Sequence, residues 1–90
     1  MPVFLRYSGY KVFFRTNENG EPIHFHITQG NPSESSTKVW ILSDGSLEIA
    51  DNSSHIPAVV LRRIFRIMQD NMNDYIAAWE AVLGPAKFRR

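Results

Sequence analysis

Before Asp51 the apolar residues of this chain alternate one by one between clusters of turn residues; after Pro57 they recur every three or four positions. The first period belongs to strands and the second to helices. A chain that runs strands first and helices last is expected to fold as α+β, with an antiparallel β-sheet of about four strands and two C-terminal helices packed on one face. Ninety residues support one core, so residues 1–90 read as a single domain.

Local chemistry punctuates this pattern. Residues 3–7 make a short apolar start that Ser8-Gly9 ends, and residues 10–16 are aromatic and β-branched, closed by Asn17-Glu18-Asn19-Gly20. Residues 23–29 follow Pro22 as a strand, and residues 30–36, polar and containing Pro32, read as a loop. Residues 37–42 and 46–50 flank Ser43-Asp44-Gly45, a hairpin signal, and residues 51–55 form a polar connection. The helical stripe contains Leu61, Ile64, Phe65, Met68, Met72, Tyr75, Ile76, Trp79, Val82 and Leu83, and Gly84-Pro85 stops it. One helix of about 27 residues would be roughly 40 Å long, beyond the ~30 Å span of so small a domain. Asn71, Asn73 and Asp74 favour caps over helix interiors, so two helices are expected, near 57–70 and 73–83.

Composition removes several function classes. There is no cysteine, which excludes disulfides, zinc–thiolate sites and thiol chemistry. Six Phe, three Tyr and two Trp supply enough bulk to fill a core without covalent staples. No apolar run reaches membrane-spanning length and no basic leader opens the chain, so the expected location is the cytoplasm, with no membrane partner. The net charge is only +1, divided between −2 over residues 1–56 (four basic, six acidic) and +3 over residues 57–90 (six basic, three acidic). That falls short of a dedicated DNA-binding domain.

Alternation then sorts side chains by sheet face. Val12, Phe14, Phe25 and Ile27 form the cleaner core set, leaving Phe13, Arg15, His24 and His26 on the opposite face. A three-residue hairpin loop puts Val39, Ile41, Leu47 and Ile49 in the core and Lys38, Trp40 and Glu48 outside; a two-residue loop would exchange these faces. We take the three-residue loop.

His24-Phe25-His26 is the most distinctive local feature. Histidines two apart on a strand point the same way, so both imidazoles can address a metal, a phosphate, or an acid–base reaction. A metal takes three or four protein ligands, and His55, the third histidine, sits in a loop, so neither a metal site nor a cofactor is expected. If Phe25 and Ile27 are core, His24 and His26 face away from it and are expected to be at least partly solvated. Phe13, Arg15, His24, His26, Lys38 and Trp40 then form an aromatic and basic patch suited to a protein partner or to nucleic acid. A helix or a second copy of the chain could instead cover that patch. Arg62, Arg63 and Arg66 lie opposite the apolar stripe, where Arg66 and Asp70 are spaced to pair, and Lys87, Arg89 and Arg90 read as a frayed, solubilising tail. No phosphate-binding glycine loop, nucleophile elbow or HExxH motif appears.

Asn19-Gly20-Glu21-Pro22-Ile23-His24-Phe25-His26-Ile27 resembles the PxHxHV signature of the bacterial family catalogued as domain of unknown function 4160. Thr37-Lys38-Val39-Trp40-Ile41, Asp44-Gly45-Ser46, Ile56-Pro57, Leu61, Ile64, Asn71, Ile76, Trp79 and Gly84 follow in the same order, so the resemblance spans nearly the whole chain. Ile23 stands where many members carry a second proline. The resemblance implies no assigned activity and no catalytic residue. It does imply a gene often placed beside another small domain on mobile elements, in toxin–antitoxin-like pairs.

The expected function is therefore a non-catalytic interaction module that binds a small protein partner, with RNA or DNA as a further ligand, through the histidine-bearing face. A ribonuclease-type toxin with His24 and His26 as acid and base and Arg15 or Lys38 steadying phosphate is the enzymatic alternative, and a DNA-binding regulator using the helical end is a third. The sequence leaves the oligomeric state open.

Overall fold

Alternation in the first half of the chain produces an antiparallel meander. The computed structural model describes residues 2–30 and 36–90, so most of the expected 30–36 loop lies outside the described residues. Strands β1 (Val3–Tyr7), β2 (Tyr10–Phe13), β3 (His24–Gln29), β4 (Thr37–Ile41) and β5 (Leu47–Asn52) precede helices α1 (Ala58–Asp70) and α2 (Met72–Leu83). The strands lie in the sheet in chain order, each antiparallel to the next. The sheet thus has five strands rather than about four, because the apolar start Val3–Tyr7 joins the edge of β2.

The three-residue hairpin loop forms as read. Val39 pairs with Ile49, Trp40 with Glu48 and Ile41 with Leu47. The Leu42 amide donates to the Ser46 carbonyl at 2.9 Å, and Gly45 has φ 86°, a backbone state that glycine adopts without steric cost. Val39 and Ile41 are buried, whereas Ile49, on the sheet edge, is 44% exposed.

The helices bury their stripe against the core face. Val12, Phe14, Phe25, Ile27, Val39 and Ile41 form one cluster with Leu61, Ile64, Met68, Tyr75 and Trp79. Phe65 is only half-buried, edge-on to Phe25, and Val82 is exposed. The break between helices falls at Asn71 (φ −117°, ψ 23°), whose side-chain amide donates to the Ile67 carbonyl at 2.9 Å. This competition of a short polar side chain for backbone acceptors is why asparagine ends helices.

Two expectations need correction. The face opposite the helices is not open: Phe13 and His24 are fully buried and His26 is 5% exposed. The connection between β2 and β3 folds back over that face instead of standing off as a simple turn. Nor is the C-terminus frayed. The Lys87 carbonyl accepts from the Ile23 amide and the Arg90 carbonyl from the Ser43 amide, each at 2.7 Å, which ties the tail to the ends of β3 and β4. No ion pair joins Arg66 to Asp70 among those of the described residues.

Candidate functional site

The site is built on one hairpin. β2 stops at Phe13, and residues 15–21 curl through successive turns. The Glu18 amide donates to the Arg15 carbonyl at 3.4 Å, the Arg15 amide donates to Glu18 Oε1 at 2.8 Å, and the Glu21 amide donates to the Glu18 carbonyl at 3.3 Å. These turns aim the Glu18 carboxylate back at β3, where alternation has placed both histidines on the same face.

Glu18 receives both imidazoles. His24 Nε2 donates to Glu18 Oε2 at 2.8 Å, and His26 Nε2 donates to the same oxygen at 2.8 Å and to Oε1 at 3.1 Å. His24 Nδ1 donates to the Pro22 carbonyl at 2.8 Å. With an acceptor on each ring nitrogen, His24 is satisfied as the doubly protonated imidazolium, the natural counter-ion of a buried carboxylate. His26 Nδ1 accepts from the Ser36 hydroxyl at 3.2 Å, which completes a neutral imidazole. The Arg15 guanidinium lies 3.2 Å from His26 Nε2 and over the Phe13 ring. Every buried side-chain nitrogen and oxygen among the described residues has a partner.

Aromatic rings enclose the cluster. Phe13 and His26, paired across β2 and β3, stack with centroids 5.3 Å apart. His24 meets Trp79 of α2 at 5.2 Å and its cross-strand neighbour Trp40 at 5.5 Å, both nearly edge-on. Tyr75 donates its hydroxyl hydrogen to the His24 carbonyl at 2.5 Å, so α2 holds the histidine strand directly.

The electrostatics follow from this packing. Burial is the largest single influence on the Glu18 carboxyl and opposes its ionisation. The hydrogen bonds from His24, His26 and the Arg15 amide, with the charge of His24, outweigh burial and hold the carboxyl well below the usual carboxylate range. Burial, and then the charge of Glu18, push the Tyr75 phenol well above its ordinary value, so it remains a donor.

The six residues expected to meet a partner therefore divide. Phe13, His24 and His26 lie beneath the surface, so the expected solvation of the two histidines is corrected: the turn carrying Glu18 meets both, and the rings of Trp40 and Trp79 pack on His24. Arg15, Lys38 and Trp40 stay half-exposed. Lys38 donates to Glu21 Oε1 at 2.9 Å and stands 4.3 Å above the Trp40 ring. Arg89 lies 5.5 Å from the same ring and donates to Glu48 at 2.6 Å, and Arg90 also pairs with Glu48. His55 is exposed and outside the cluster.

Sequence reasoning missed Glu18, which it took as turn chemistry. The signal was a carboxylate in the short connection between the two strands that carry Phe13 and His26, where a turn can fold it onto the face they share.

A meander backed by two helices, with a glutamate and two histidines locked beneath its outer face, defines a small α+β domain organised around a buried polar cluster. The chain belongs to the family described as Domain of unknown function (DUF4160), whose model matches residues 9–80. That span takes in β2 to β5, α1, most of α2 and all three residues of the cluster. No curated protein and no solved structure matches the chain.

Proposed function

We propose that this protein is a non-catalytic interaction module, one half of a toxin–antitoxin-like pair, acting in the cytoplasm on a small protein partner. The observation that supports this best is Trp40, a large aromatic left half-exposed with the cations Lys38 and Arg89 against its ring. Tryptophan and arginine dominate binding hot spots, and cations against the ring help to fix it as a contact surface. The cations are offset by Glu21 and Glu48, which favours a protein of mixed charge over a polyanion such as RNA or DNA. No helix among the described residues is long and apolar enough to cross a membrane.

Burial weighs against the ribonuclease alternative. A general acid or base must reach the proton it transfers, yet His24 has no exposed surface and the Nε2 atoms of both histidines are engaged by Glu18.

The test is co-expression with the product of the neighbouring gene, followed by calorimetric titration of the two purified proteins. Trp40→Ala is expected to keep the fold and weaken binding at least tenfold, while Arg62→Ala leaves it unchanged. A complex indifferent to Trp40 and weakened by Arg62→Ala would move the interface to the helical side.

A further inference from the structure

We propose that Glu18, His24 and His26 form a binding site for one divalent first-row transition-metal ion of the zinc type. One ligand atom from each residue lies within 4.8 Å of the others, and all three residues are buried. The two Nε2 atoms and the carboxylate converge from a single hairpin, so their spacing is set by β3 and by the turn bonds around Arg15 rather than by distant parts of the chain.

The partners of the remote ring nitrogens support a metal ion in particular. Metal-bound histidines nearly always donate the hydrogen of the nitrogen that does not bind, which fixes the ring and turns the lone pair of the other toward the ion. His24 Nδ1 already donates to the Pro22 carbonyl, and His26 Nδ1 faces the Ser36 hydroxyl, which can accept as well as donate. Both Nε2 atoms can therefore present lone pairs to a common point. An ion can be bound only through bare Nε2 lone pairs, so any hydrogen those atoms carry moves to Nδ1 or leaves as the ion enters.

The donor set selects the ion. Two imidazoles and a carboxylate suit zinc and its neighbours, whereas magnesium and calcium require oxygen ligands. Donors sit about 2.0–2.2 Å from zinc, so neighbours on one tetrahedral ion stand roughly 3.3 Å apart. The present 2.8 Å contacts need open by only a fraction of an ångström. Arg15 opposes the ion, since its guanidinium lies 3.2 Å from His26 Nε2.

The experiment is calorimetric titration of Zn²⁺ into the full chain after treatment with EDTA and desalting, with Mg²⁺ as the control ion. One Zn²⁺ per chain is expected, unaffected by His55→Ala, bound at least tenfold more weakly by Glu18→Gln and more tightly by Arg15→Gln; Mg²⁺ should give no heat of binding. Absence of saturable binding, or binding lost with His55→Ala and kept in Glu18→Gln, would overturn the proposal. A measurement on the unmodified chain covers the case in which Glu18→Gln fails to fold. Imidazole ¹⁵N spectra should then show Zn²⁺ moving the Nε2 signals of His24 and His26 and leaving His55 in place; movement confined to His55 would overturn it equally.

Discussion

Glu18 and His24 lie six residues apart in the chain and form a buried ion pair, with Oε2 2.8 Å from Nε2. The histidine has no exposed surface, and its other ring nitrogen is committed to the Pro22 carbonyl. This pair joins the β2–β3 turn to the sheet, and the Tyr75 hydroxyl joins the same strand to α2.

Removing the carboxylate should therefore be costly. Breaking a buried ion pair by deleting one member typically costs about 3–5 kcal/mol, because the other charge stays buried without a partner. Glu18→Ala, measured by urea denaturation in the presence of EDTA, is expected to lose stability in that range. An unchanged denaturation midpoint would mean that the pair contributes nothing to the fold.

The histidines should behave unequally. His24→Ala leaves Glu18 without its counter-ion and opens space against Trp40 and Trp79, and is expected to cost at least about 3 kcal/mol. His55→Ala, at an exposed loop position, should change stability by less than about 0.5 kcal/mol. Thermal melts of the two variants side by side make the comparison, and equal midpoints would contradict it.

Acid sensitivity follows from the same carboxyl. A group whose folded pKa is depressed contributes stability that is full above its unfolded value and is lost as pH falls toward the folded one. The Glu18 contribution should thus be complete above the ordinary 4.5 and decline progressively below it. The groups facing this carboxyl are His24 and His26 of β3, the Arg15 amide on the turn and the Tyr75 phenol of α2, and the Arg15 guanidinium lies against His26. Stability measured against pH should fall more steeply below that point in the unmodified chain than in Glu18→Gln. Parallel curves would assign the acid response to other carboxylates.

The helical stripe gives a check independent of the cluster. Trp79 is 2% exposed and packs on Phe14 and His24, so Trp79→Ala is expected to cost about 3–5 kcal/mol. Phe65→Ala should cost clearly less, since Phe65 is only half-buried. Denaturation midpoints in the reverse order would overturn this reading of the α1–α2 face.

Much of this arrangement was legible in the sequence, for definite reasons. Alternation alone placed Phe13, His24 and His26 on one face, and taking Ser43-Asp44-Gly45 as a three-residue loop added Lys38 and Trp40 to it. The helix break at Asn71 followed from length and from asparagine chemistry. Alternation says which face a side chain takes, but not whether a neighbouring turn folds over that face. The burial of the histidines was therefore missed together with Glu18, whose role depends on turns within residues 15–21. The tail was misjudged for a related reason. Lys87 and Arg90 are held through their backbone carbonyls, which carry no trace of residue type.

The central claim is that Glu18 and His24 act as one unit, and a double-mutant cycle tests it most directly. Urea denaturation of Glu18→Gln, His24→Gln and the double variant, all in EDTA, gives the coupling free energy. Residues joined by a buried ion pair should couple by about 1–3 kcal/mol, with the double variant losing less than the sum of the single ones. Additivity within about 0.3 kcal/mol would show that the two residues contribute independently, and would contradict the account.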